Sequence, residues 1–334
     1  MQSKPGPAAS PPVRLTPKPW ILRPKLDTSP LIGPAGSLLR APVLEIANDD
    51  APPPGRLNPP SPEPPASEPP HEEPSQPAGE SAPASWVTTS NPLEATKEAP
   101  FLNSSGMLFV PVPLYKTLFS MCLVRLCDYT LYCQAKKLPI PDCDFPQGPD
   151  HPVVNLTWHD ATKFCEWLTK KEQDEKILPA DLLYRLPTDL EWSAAVGLPH
   201  EPQGSPKARS GKAEGYPWGI SFPPPLGSGN YSPILRVDEF RETSPVASFP
   251  ANEFGICDLG GNVWEWCSDQ FSPPEETHVA RGAACFNDSE EYLRSSHRDS
   301  IAPTKSRNNL GFRVVLSGGI YKDPLHRVHY NPWA

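Results

Sequence analysis

Apolar and polar positions alternate by different rules in different parts of the chain. From Thr157 onward, Ala161, Phe164, Cys165 and Leu168 recur at helical spacing, and the Thr157 hydroxyl is placed to cap the amide near Asp160, so an amphipathic helix is expected to open there. A second capped helix runs from Thr188, with Glu191 three residues on, to about Val196, and Gly197 is a natural stop. A further helix is expected around Asp128 to Ala135. The segment LFVPVP (Leu108 to Pro113) predicts a short edge strand limited by its two prolines. Past Gly197 the helical period gives way to Gly, Pro, Asn and Trp, which implies short strands joined by long ordered loops. Such loops need something besides an apolar core, bound metal for example, to keep one conformation. In GGNVWEW (Gly260 to Trp266) a glycine turn leads into a strand with Trp264 and Trp266 on one side and Glu265 on the other, and the two tryptophans read as core.

Composition changes this picture mainly at the front. Of the 49 prolines, 25 lie in the first 100 residues, where Trp20 and Trp86 are the only aromatics. That stretch cannot bury enough apolar surface to offset the entropy of ordering it, so residues 1–100 are expected to be a disordered, acidic, proline-rich linker. A tether explains PPPG, EPPASEPP and HEEPSQP better than an SH3 or WW ligand does, since no basic residue flanks a compact PxxP core. Residues 101–316 are then one α+β domain with little regular secondary structure, and 317–334 a tail.

The net charge is −9 with no run of Lys or Arg, which argues against nucleic acid as a partner. No stretch of 18 apolar residues occurs and no apolar region follows Lys4, so neither a membrane span nor a signal peptide is expected, and the cytoplasm is the expected location. The eight cysteines lack CxxC or Cys/His spacing and read as reduced core thiols. The sequon at Asn155 is read as unmodified, and His326 and His329 in the tail as surface residues.

Six segments stand in fixed order: HPVVNLTW (Val153 lies within it), YRLPTDLEW, YPWG, SPVASFPANEFGICDLGGNVWEW, RGAAC and RNNLGFRVV. Together they resemble the formylglycine-generating enzyme, or sulfatase-modifying factor, family over about Phe101 to Leu316. The resemblance implies a variant of the C-type lectin fold. It also implies two calcium sites, one on Asp258, Gly261, Val263 and Glu265, the other on Asn230, Tyr231, Asp238 and Phe240. Each mixes side-chain and main-chain oxygens, the donors calcium selects. The competing reading makes these solvated turn residues.

The aerobic members of that family oxidise a substrate cysteine with copper(I) held by two thiolates. Carried onto this chain, the two positions are Asn287 and Glu290, so copper is not expected. Cys285 is the one thiol nearby; Arg294, His297 and Arg298 could lower its pKa, against a plain packing role. The leading expectation is therefore a catalytically silent module that binds a protein or peptide, without nucleic acid or membrane. Similar domains are attached to bacterial serine/threonine kinases, which implies a signalling association, although this chain has no GxGxxG or HRD segment. The alternatives are a metal-dependent oxidoreductase of the same family acting on a protein cysteine, and a lectin-fold protein with a variable ligand face over Asn287 to Asn309.

Overall fold

The computed structural model describes residues 87–334 except 116, 199, 319, 323–327 and 331–334, and only the backbone of 320–322 and 328–330. The proline-rich linker up to residue 86 and His326 therefore lie outside the described residues, as does the side chain of His329.

Local sequence rules set the helices. Thr157 Oγ1 accepts from the Asp160 amide at 3.1 Å while Asp160 Oδ2 accepts from the Thr157 amide at 3.2 Å, and the preceding helix is positioned by a similar device. There, Asp128 Oδ2 accepts from the Arg125 amide at 3.0 Å and the carboxylate also holds the Arg125 guanidinium. Helix α1 accordingly spans Leu126–Lys136, starting ahead of the expected Asp128, and α2 spans Trp158–Asp174. Helix α2 buries the four residues expected of it, Ala161, Phe164, Cys165 and Leu168. Helix α3, Asp189–Val196, has the same reciprocal cap between Thr188 and Glu191 and ends at Gly197, whose φ of 94° is costly for any residue with a Cβ.

One sheet holds β1 (Phe101–Leu102), β2 (Leu108–Val112), β3 (Thr117–Ser120), β4 (Leu182–Arg185) and β9 (Val315–Gly318) in the order β1-β2-β3-β9-β4. Strand β2 is thus not the edge strand that its prolines predict. Strand β1 is two residues long and pairs only with Leu108 and Phe109, so Pro111 faces no neighbour on that side and its missing N–H costs nothing. Residues ahead of Phe101 also join this sheet, through the Leu102 amide donating to the Thr89 carbonyl at 3.0 Å.

The second sheet, in the order β7-β6-β5-β8, carries most of the motif residues. Its strands are β5 (Trp264–Gln270), β6 (His278–Arg281), β7 (Asp299–Ile301) and β8 (Leu310–Gly311). Strands β5 and β8 run parallel with Glu265 opposite Gly311, which brings the segment after Gly311 alongside the GGNVWEW strand. Two short helices, α4 (Pro206–Arg209) and α5 (Glu290–Leu293), sit in the loops, and β10 (Ile320–Lys322) pairs with β11 (Val328–Tyr330). Between α1, α2 and the first sheet an aromatic core forms: Tyr129 stacks on Phe164 at 5.5 Å and Phe312 meets Phe164 edge-on at the same distance. Each such ring, fully buried, stabilises the fold by roughly 1.5–3 kcal/mol. Trp264 and Trp266 are buried as expected.

Candidate functional site

The long connections between α3 and β8 bring the expected site residues to the second sheet, and the structure treats the two calcium sets differently. Glu265 is fully buried, and so is its partner Arg313, from the segment that β8 delivers. Arg313 Nε donates to Glu265 Oε2 at 2.6 Å and Nη2 to Oε1 at 3.0 Å, while Nη2 also reaches the Cys257 and Asp258 carbonyls at 2.9 and 3.3 Å. A guanidinium thus supplies the counter-charge to Glu265, while it reaches Asp258 only at its main-chain oxygen. Asp258 Oδ2 accepts from the Ala247 amide at 2.8 Å, and burial pushes its carboxyl up to about 6 against the pull of that amide and of Arg313. Gly261, at φ 78°, packs where a Cβ would collide with the Asn230 carbonyl, so the two loops fit together only with glycine there.

The Asn230 set keeps an unsatisfied donor oxygen. Asn230 Nδ2 donates to the Glu242 carbonyl at 2.8 Å, but Oδ1 is buried with no partner among the described residues. Asp238 lies beside it in bonding terms: its Oδ2 accepts from the Tyr231 amide at 3.0 Å and its Oδ1 from the Phe240 amide at 2.8 Å, while burial raises its pKa. A buried amide oxygen without a partner suits a hard cation, and the half-buried Asp238 carboxylate is tied to the amide of the adjoining Tyr231. No group of three or more His, Cys, Asp or Glu side chains that could hold a metal by themselves occurs among the described residues.

At the positions of the copper pair, both side chains are engaged locally. Asn287 Oδ1 accepts from the Ala284 amide at 2.9 Å, closing a turn. Glu290, the first residue of α5, accepts from the Tyr216 hydroxyl at 3.0 Å and from Arg294 at 2.9 Å, and Arg294 with Tyr216 holds its carboxyl below the ordinary value. Neither is a soft donor, so this donor set does not fit copper(I). Cys285 is fully buried and burial pushes its thiol up to about 12, the reverse of activation. The three basic neighbours have other partners: Arg294 pairs with Glu290, Arg298 with Asp189 and Glu201, and the His297 ring lies 4.9 Å from Tyr292 and 5.7 Å from Trp264.

A charge cluster that periodicity does not reveal lies under this surface. Asp189, at the start of α3, is fully buried among Arg281, Arg298 and Arg209; Arg298 also bonds Glu201, and the Arg281 guanidinium lies 4.3 Å over the Trp192 ring. Burial alone would raise the Asp189 pKa, but Arg281 and Arg298 outweigh it and hold the carboxyl well below its ordinary value. The available sequence signal was the arginine of RGAAC, which stands beside a small-residue turn with no surface role. The cluster fixes β6, α3 and the loop after α5 against one another, while Phe286 and Tyr292, between β6 and β7 in the chain, are exposed.

Residues 124–317 match the model of the sulfatase-modifying factor enzyme 1-like domain. The chain belongs to this family. With it comes the expected fold, a formylglycine-generating-enzyme-like variant of the C-type lectin fold, in keeping with the mixed sheets and few helices observed. The domain is 32% identical over 208 residues to the mouse inactive Cα-formylglycine-generating enzyme 2, covering 56% of this chain and 59% of that one. It is 31% identical over 199 residues to the bovine formylglycine-generating enzyme, covering 52% and 46%. A Chlamydia caviae serine/threonine-protein kinase, pkn1, is 29% identical over 210 residues, covering 58% and 28%. Among solved structures, PvdO from Pseudomonas aeruginosa aligns over 63% of this chain and 93% of its own at 21% identity, with a TM-score of 0.48. The chain spans about half the length, or less, of the curated relatives it matches. No helix among the described residues is long and apolar enough to cross a membrane.

Proposed function

We propose that this sulfatase-modifying-factor-like domain is a catalytically silent binding module for a protein or peptide. The observation that carries the reading is the chemistry at Asn287 and Glu290: an amide closing a turn and a carboxylate paired with Arg294, where copper(I) oxidation needs two thiolates. The inactive mouse relative supports it by its name. The face that remains is suited to recognition, since Phe286 and Tyr292 are 47% and 45% exposed beside the Glu290–Arg294 pair. The kinase-named relative supports a signalling setting, and we place this chain there as the docking part, in a bacterial cytoplasm.

Calcium is part of the proposal at one loop. Asn230 and Asp238 would hold it through side-chain oxygens and Tyr231 and Phe240 through carbonyls; the ion would give the unpartnered Asn230 Oδ1 its partner. In the set Asp258, Gly261, Val263 and Glu265 the Arg313 guanidinium already supplies the counter-charge to Glu265, and Asp258 alone keeps a side-chain oxygen without a hydrogen bond among the described residues.

The decisive experiment mixes purified protein with a Cys-x-Pro-x-Arg peptide, copper and oxygen. The expected result is no aldehyde on the peptide and no tightly bound copper or iron by elemental analysis. Stoichiometric aldehyde formation would overturn the silent-module reading in favour of the oxidoreductase.

A further inference from the structure

A pocket of about 230 Å³ opens beside Asp258, apart from the Phe286–Tyr292 face and sharing no residue with it. Its walls are Trp218, Phe249, Pro250, Ile256 and Leu259, and neither Lys, Arg nor His lines it. The walls are fixed in place. Trp218 stacks on Tyr216 at 4.8 Å and its Nε1 donates to the Ser221 carbonyl at 2.8 Å. On the far side Asn252 Nδ2 donates to the Ala195 carbonyl at 2.7 Å while Oδ1 accepts from the Phe254 and Ile256 amides.

The acidic residue of the pocket is Asp258, only 8% exposed. Its Oδ2 accepts from Ala247, and its Oδ1 accepts no hydrogen bond among the described residues. Ser228, which also lines the pocket, has a buried hydroxyl without a partner. The nearest guanidinium, Arg313, reaches the main-chain oxygen of Asp258 and spends its charge on Glu265. The cavity therefore presents one carboxylate oxygen inside aromatic and proline walls, with the Ser228 hydroxyl buried behind its surface and no cation of its own.

That combination selects its ligand. Calcium takes six to eight oxygens, and the one accessible unpaired side-chain oxygen among these apolar walls falls well short. An organic cation is weakly hydrated, lies well over aromatic faces and needs one carboxylate. The volume is below the roughly 300 Å³ at which small-molecule sites begin, and suits the end of a side chain. We propose that this pocket receives a basic side chain, guanidinium or ammonium, from a protein partner, with Asp258 as its counter-ion and Trp218 as its wall. The net charge of −9 favours approach of such a partner.

Calorimetric titration of the full chain with N-acetylarginine amide, N-acetyllysine amide and the uncharged N-acetylcitrulline amide tests this. Saturable binding of arginine or lysine, and weaker binding of citrulline, is expected; which of the two bases binds tighter names the headgroup. Asp258→Asn should weaken binding roughly ten- to hundredfold, the worth of a charged hydrogen bond, and Trp218→Leu should weaken it too, both with melting curves that show a folded protein. Equal heats from arginine and citrulline would overturn the proposal, a comparison that holds even if Asp258→Asn does not fold. So would release of the amides by calcium in the wild type but not in Asp258→Asn, which would make the carboxylate part of a metal site.

Discussion

Two regions of one domain carry carboxylates, fully buried in the first and half-buried in the second, and resolve them in opposite ways. In the interior, Glu265 and Asp189 are fully buried and each is met by guanidinium groups, Arg313 for the first and Arg281, Arg298 and Arg209 for the second. In the Asn230 loop, Asp238 is met only by backbone amides, and the neighbouring Asn230 Oδ1 has no partner at all among the described residues. A set of oxygens is therefore an incomplete statement about a metal; what matters is whether a fixed cation already occupies it. An internal arginine holds a region in place without a ligand, whereas an unsatisfied oxygen makes order conditional on one.

Removing Asp189 is the harshest way to break the comparison. Asp189→Ala leaves three guanidiniums facing Glu201 alone, and the loss should be at least the about 3–5 kcal/mol of one broken buried pair, enough to prevent folding at 37 °C. The same carboxylate predicts an acid limb. Its folded pKa is depressed below the ordinary 3.8, so its contribution is fully present above that value and is lost as pH falls through the folded pKa. Urea melts at stepped pH should show stability dropping below about pH 4, and a flat profile there would contradict the depressed carboxyl. Next in size, Arg313→Met should cost about 3–5 kcal/mol by leaving Glu265 charged and buried, and Arg313→Met with Glu265→Leu should recover most of it. Failure of the double variant to recover would mean that the Asp258 and Cys257 carbonyls, not Glu265, are what Arg313 holds.

Calcium sharpens the other side. At one hundred times its dissociation constant it should stabilise the protein by about 2.7 kcal/mol, read as a rise in melting temperature that a chelator reverses. Asp238→Asn should abolish the rise and Arg313→Met should leave it intact, measured as a difference in each variant's own melting temperature. An unchanged melting temperature in wild type with and without chelator would remove calcium from the Asn230 loop as well.

The sequence by itself determined the helices and the family. The Thr157 and Thr188 caps lie within three residues of their partners, so α2 and α3 could be read from local chemistry, and Trp264 and Trp266 from the period of a strand. The motif order pointed to the fold, and Asn287 and Glu290 pointed to the missing thiolates, because both are questions of residue type at a position. Partnership across the chain was decided by tertiary structure alone. Arg313 lies 48 residues from Glu265 and Arg298 lies 109 from Asp189. Nothing local marks such pairs, because a buried charge is stabilised by whatever the fold brings against it. The same reason governs β2, an inner strand that tolerates Pro111 only because its neighbour β1 is two residues long, and Cys285, whose neighbours Arg294 and Arg298 hold carboxylates while burial leaves its thiol protonated.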